Sequence, residues 1–193
     1  NVDFLYSSYV TNLLVDEKGK PAGVVIANRS GRQAIRCKGI IDATHNASVA
    51  RMSDIQVKNA GQGAVEFNYT VVGNGKKESA NITHAEVLPL PVLSGGKEYP
   101  VTRYTFLMPL KNDSYAALME IEQTVRTQTW DPDQVDSSDL LWYIPQQVIT
   151  SKKACNEVSG SIRQLPIEAF QAEKYPNLWI LGPCAELPRE SMK

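Results

Sequence analysis

Within residues 64–72, Val65, Phe67, Tyr69 and Val71 alternate with Glu66, Asn68 and Thr70. A period of two puts all four apolar side chains on one face of a strand, and such a face has to be covered by a second layer. The best cover is the segment that starts with Asp113 or Ser114 as N-cap and runs to about Thr129. There Leu118, Ile121 and Val125 recur at i, i+3 and i+7, while Glu120, Glu122, Gln123 and Arg126 point elsewhere. It is the best helix in the chain. Around it lie further β-prone runs: residues 80–90, broken by Pro89 and Pro91; Val101–Met108; and Leu140–Ile144, which stops at Pro145. Residues 146–156 are expected to begin a further short helix. The reading is α+β: a mostly antiparallel sheet with one or two covering helices.

Ahead of this module the pattern is a β-meander. Residues 9–15 and 22–27 flank the turn Asp16-Glu17-Lys18-Gly19-Lys20-Pro21, and Asn28-Arg29-Ser30-Gly31-Arg32 turns the chain into residues 33–37. Gly39-Ile40-Ile41-Asp42-Ala43-Thr44 follows as a strand apolar enough to be central. Near the other end, Leu178-Trp179-Ile180-Leu181 reads as a short buried strand broken by Gly182-Pro183. Three segments result: 1–55, a meander and return strand; 56–157, the α+β module; and 158–193. Residues 2–6 have the density of a buried strand at once, and few residues follow the last one. The sequence is therefore expected to be excised from a longer chain.

Composition narrows the function. Twenty Lys and Arg against 21 Asp and Glu leave a net charge of −1 with no basic run, so nucleic acid is not an expected partner. No apolar stretch approaches the roughly 20 residues of a membrane helix. Cys37, Cys155 and Cys184 are widely spaced, and neither His45 nor His84 has neighbours at metal-ligand spacing, so no disulfide framework and no metal site is expected. The 42% apolar content is enough for a globular core.

The order strand, acidic turn, Gly23-Val24-Val25-Ile26, Ser30-Gly31-Arg32, Ala34-Ile35-Arg36-Cys37-Lys38 and Ile40-Ile41-Asp42-Ala43-Thr44 resembles the middle of FAD-dependent oxidoreductases of the glutathione-reductase-like superfamily. It is closest to the broad bacterial FAD-dependent oxidoreductase family. His45 stands where that family usually has Gly. A second stretch, Pro176-Asn177-Leu178-Trp179-Ile180-Leu181-Gly182-Pro183-Cys184-Ala185-Glu186, is similar to the family's late strand, with Glu186 outside the usual acidic register. The resemblance implies FAD in the parent protein, with Val10, Ala43, Thr44 and His45 near its adenosine half and Gly182, Pro183 and Cys184 near its ribityl half. It also implies a substrate domain in the intervening segment, whose sheet walls the flavin's reactive face. The dinucleotide fingerprint G-x-G-x-x-G is not in the sequence; Gly61-Gln62-Gly63 reads as a turn entering a strand. The missing partner would be an upstream FAD-binding segment. These residues alone are expected to be catalytically silent and not to hold FAD tightly.

On the intervening segment, Arg103, Tyr104 and Trp142 can offer a cation and aromatic surfaces to an acidic or sugar-like substrate, or can simply pack a core. His84 is read as solvent-facing on a strand, and Cys184 as a packed thiol rather than a redox group. A β-rich binding module for carbohydrate or protein is the competing reading. An upstream fingerprint in the same reading frame would decide against it.

Overall fold

The computed structural model describes residues 2–59, 63–73, 75–112, 114–155 and 165–188. The chain falls into two units, one formed by 1–60 together with 147–193, the other by 61–146.

The first unit opens with an antiparallel meander of β1 (Tyr9–Val15), β2 (Pro21–Asn28) and β3 (Gly31–Arg36) in that order. Its first turn closes on Asp16, whose Oδ1 accepts the Lys18 and Lys20 amides at 2.9 and 2.8 Å, with Gly19 at φ +74°. Gly23 matters for a different reason. A Cβ on it would run into the carbonyl oxygen of Ile35 on β3, so only glycine lets the two strands approach. Residues 2–6, expected as a buried strand, pair with no strand, lead into a turn at Tyr6 and are exposed, with Phe4 and Tyr6 stacked on each other. Apolar density alone does not make a strand without a neighbour to take its hydrogen bonds. After the meander come β4 (Ile40–Asp42), the single-turn helix α1 (Ser48–Arg51) and β5 (Val57–Asn59).

The second unit is built on β6 (Ala64–Val72), β7 (Ile82–Val87), the small hairpin β8 (Val92–Ser94) and β9 (Lys97–Tyr99), and β10 (Val101–Pro109). Helix α2 (Tyr115–Thr129) and the short strands β11 (Asp136–Ser137) and β12 (Trp142–Tyr143) complete it. The main sheet runs β11-β6-β10-β7, all antiparallel, with β12 also on β6. The alternation on β6 is realised: Val65, Phe67, Tyr69 and Val71 are buried, and β10 sets Tyr104 opposite Tyr69 and Phe106 opposite Phe67. Ile121 and Val125 of α2 close this core, and each buried aromatic contributes roughly 1.5–3 kcal/mol. Ser114 caps the helix, its hydroxyl accepting the Ala117 amide at 3.3 Å; the alternative cap, Asp113, lies outside the described residues. Arg126 fastens helix to sheet. Its Nη1 donates to the Tyr69 hydroxyl at 2.7 Å, its guanidinium lies over the Tyr69 ring, and Nη2 donates to the Asp139 carbonyl at 2.9 Å.

The chain then returns to the first unit through β13 (Gln147–Ile149), and β14 (Leu178–Ile180) follows. A helix was expected at 146–156; instead Val148 and Ile149 extend and pair with Lys58 and Val57 of β5, and Ser151 bridges to Ala172. β-Branched side chains with a strand partner at hand favour the sheet. Because β5 and β13 pair with each other, both belong to the first unit, and the units part at 60/61 and 146/147, whereas the sequence reading divides the chain at 55/56 and 157/158. β14 runs parallel to β4, Leu178 opposite Ile40 and Ile180 opposite Asp42. Their core includes Val49, Ile55, Ile149, Tyr175, Leu178 and Ile180. No helix among the described residues is long and apolar enough to cross a membrane.

Candidate functional site

At the carboxyl ends of β4 and β14 the backbone is held by one buried side chain. Asp42 is 1% exposed, and its oxygens accept the Thr44 amide at 3.1 Å, the Thr44 hydroxyl at 2.6 Å and the Ala50 amide at 2.9 Å. Thr44 Oγ1 in turn accepts from the amide and hydroxyl of Ser48 at 2.8 and 3.0 Å. These contacts shape a tight loop of residues 43–47 that reaches α1 through Ala47, a fully buried residue at φ +51°. The ladder continues from the Leu181 amide to the Asp42 carbonyl at 2.8 Å. Gly182 then passes so close that a Cβ on it would lie 3.2 Å from the Thr44 carbonyl oxygen.

The first set of sequence-predicted site residues therefore meets at one place. Ala43, Thr44 and His45 stand beside Gly182, Pro183 and Cys184, although some 140 residues of chain lie between them. Val10 of β1 packs on the same apolar cluster, which contains Ala47 and Cys184. Their side chains differ in reach. Ala43 and Thr44 are exposed and His45 is half-buried, while Cys184 is fully buried with its thiol donating to the His45 carbonyl at 3.6 Å. Burial holds the His45 pKa below its usual 6.5, so the imidazole is neutral at pH 7.

Glu186, two residues beyond Cys184, does not face that loop. Its carboxylate accepts the Ser151 amide at 2.7 Å, the Ser151 hydroxyl at 2.9 Å and the Lys58 ammonium at 2.8 Å. Burial raises its pKa, but Lys58 and Ser151 outweigh that and hold it below the ordinary glutamate value. The sequence showed only that Glu186 was out of register; a contact with residues 35 and 128 positions away leaves no local signal. Asp42 was likewise read as part of a strand, not as the organiser of its end.

The donor set can be tested against a dinucleotide. Small residues at two parallel strand ends and a glycine in tight approach to the Thr44 carbonyl suit a flanking surface for a cofactor, while the hydroxyl protons of Thr44 and Ser48 are spent on Asp42 and Thr44. Donors for a pyrophosphate are not in this set: α1 has only four residues and Pro183 lacks an N–H. Among the described residues no group of three or more His, Cys, Asp or Glu gathers as metal ligands.

In the second unit the sheet separates the other three predicted residues. Tyr104 points into the core at 1% exposed, its hydroxyl donating to the Gly75 carbonyl at 3.3 Å and accepting the Lys77 amide at 3.0 Å. Its neighbour Arg103 is on the opposite face, as strand alternation requires. Trp142 is 41% exposed and pairs with Asn68, so it shares that outer face, while Tyr143 packs its ring 5.2 Å from Phe67 inside. The cross-strand register extends the row from Trp142 through Asn68 and Thr105 to His84, which is exposed on β7. In the next row Arg103 lies opposite Thr70 and Glu86, with Arg103 Nη1 3.9 Å from Glu86 Oε2. Asn68 and Thr105 escaped the sequence reading, yet they were visible in it as the polar members of alternating strands.

No known family's model matches the chain, and neither does any curated protein. Among solved structures, similar ones are CabE, an aromatic hydroxylase from angucycline biosynthesis (13% identity, TM-score 0.45, 92% of this chain and 33% of that one), and CndH, a myxobacterial FAD-dependent halogenase of chondrochloren (14%, 0.43, 92% and 40%). The flavin-dependent brominase Bmp2, as a triple mutant, is another (13%, 0.41, 93% and 44%). The chain spans less than half the length of each of these structures.

Proposed function

We propose that this chain is the substrate-binding and flavin-flanking part of an FAD-dependent oxidoreductase. The observation that carries the reading is the parallel pairing of β4 with β14. Two strands resembling the flavoprotein return strands lie side by side, with an antiparallel module between them in sequence, and ligands of open α/β sheets bind at the carboxyl ends of parallel strands. The loop 43–45 and the turn at Gly182 form a cofactor-flanking edge: Asp42 anchors the loop through the Thr44 and Ala50 amides, and Gly182 keeps the two segments in close approach. Residues 61–146 supply the substrate-binding surface. When bound, the flavin supplies the electron-accepting chemistry; no residue of this chain is assigned a proton-transfer role.

The test is spectroscopic. The protein extended upstream in its native reading frame and purified without added cofactor is expected to show the visible bands of bound flavin, while the 193-residue chain titrated with FAD shows no tight binding. A colourless extended protein that also ignores added FAD overturns the proposal.

A further inference from the structure

We infer that the outer face of the sheet in the second unit binds an uncharged, hydroxyl-rich ring of the sugar class, with Trp142 as its stacking platform and Asn68, Thr105, His84 and the Arg103–Glu86 pair as its polar contacts. The inference deepens the reading of residues 61–146 as a substrate-binding unit and rests on it. The face is laid out by register: Trp142, Asn68, Thr105 and His84 occupy one cross-strand row on β12, β6, β10 and β7. With strands about 4.8 Å apart, the row spans roughly 14 Å.

The row has an aromatic end and a polar remainder. Trp142 leaves a large part of its surface in solvent although the same strand buries Tyr143. An exposed indole at the end of a polar row offers the flat apolar surface that the C–H face of a sugar ring stacks on. Beside it, Asn68 Oδ1 accepts the Thr105 hydroxyl at 3.0 Å. Beyond that bond Asn68 carries two amide N–H donors and Thr105 Oγ1 a lone pair, so on these two half-buried residues donor and acceptor stand next to each other.

Charge decides between a sugar and an acid. Arg103 is a cation of this face, and Glu86 stands 3.9 Å from it. A carboxylate drawn to Arg103 would meet Glu86 at ion-pair range. A hydroxyl, donor and acceptor at once, can give its proton to Glu86 and accept from Arg103 or Asn68. The mixed, compensated set therefore fits neutral hydroxyls and opposes anions.

The experiment follows the indole and side-chain amide signals of the ¹⁵N-labelled 193-residue chain during titration with methyl β-glucopyranoside and methyl β-galactopyranoside, with 4-hydroxybenzoate as the anionic aromatic comparison. At least one glycoside is expected to give saturable shifts at the Trp142 indole and the Asn68 amide. Trp142→Ala should weaken that binding about tenfold or more, Thr105→Val severalfold, and Trp130→Ala not at all. Unchanged backbone amide signals of the core residues Ile121 and Val125 establish that the variants keep the core. No saturable shift with either glycoside into the tens of millimolar, shifts with 4-hydroxybenzoate alone, or a Trp142→Ala variant that binds as well as the parent each overturns the inference. Failure with glycosides alongside flavin bands in the extended protein rejects the sugar class alone, whereas a colourless extended protein rejects the flavin reading whatever the glycosides do.

Discussion

The two units solve the problem of covering a sheet in opposite ways. In the second, β6, β10, β7 and α2 come from one continuous stretch, every pairing is antiparallel, and the core is made of large aromatics locked between sheet and helix. In the first, β4 finds its parallel partner β14 about 140 residues away, and one buried carboxyl side chain organises the end of the strand. The contrast teaches where specificity is stored. A sequence-local unit can rely on periodicity and apolar burial, whereas a discontinuous one needs individual polar contacts to define where its strands stop.

The largest difference between the units is expected from a core truncation in the second. Phe106→Ala, at a fully buried position, is expected to cost about 3–5 kcal/mol. Amide exchange should rise throughout β6, β10 and α2 while β4 and β14 keep their protection. Loss of protection in both units together would show that they fold as one.

Next comes the strand-end carboxyl group. Asp42→Ala strands the buried amide of Ala50 and the Thr44 amide without their acceptor and should destabilise the first unit by about 2–4 kcal/mol, read from chemical denaturation followed by Trp179 fluorescence. Asp42→Asn keeps one acceptor oxygen and should lose less. Equal losses would mean that both carboxylate oxygens are needed and that neither the volume nor the single acceptor kept by asparagine compensates.

A pH series separates the units by a third route. Glu186 has a folded pKa below its ordinary value, so its stabilising contribution is complete above the unfolded pKa of a glutamate and is lost as pH falls through the lowered folded pKa. His45 acts in the same direction: its folded pKa lies below the usual 6.5, so unfolding binds protons more readily and stability falls as pH drops below that value. Acid should therefore weaken the first unit earlier than the second. Glu186→Gln should flatten the lower part of that pH dependence, and an unaltered profile would show that the Lys58 and Ser151 contacts carry little of it.

The smallest effect is expected at Arg103. Its pair with Glu86 is half exposed and 3.9 Å long, so Arg103→Ala should change stability by about 0.5 kcal/mol or less in a thermal melt. A larger loss would make Arg103 a structural residue and remove it from the binding face.

Much of the second unit was legible in the sequence because its elements obey a single period. Alternation on β6 and the i, i+3, i+7 pattern of α2 predicted both elements and the apolar faces they bury, and Asp113 or Ser114 marked the helix start; Arg126, read as pointing elsewhere, turns onto the Tyr69 ring. At Arg103 and Tyr104 the same rule leaves open which of the two turns toward a pocket. Adjacent strand residues point to opposite faces, and only the register with Phe67 and Tyr69 shows which of the two is inside. Local patterns were weaker in the first unit. Residues 2–6 looked like a strand and residues 146–156 like a helix, because whether an apolar stretch extends, coils or stays open depends on which backbone lies beside it.

By itself, then, the sequence determined the class of each long element, the α+β composition and the order of meander, module and return strand, since these follow from side-chain periodicity and turn chemistry within a few residues. The tertiary structure decided what those elements do together: the parallel meeting of β4 with β14, the capture of Glu186 by Lys58 and Ser151, and the row from Trp142 to His84. Such contacts join residues far apart in the chain, and their energies depend on register and burial, which exist only once the backbone has closed on itself.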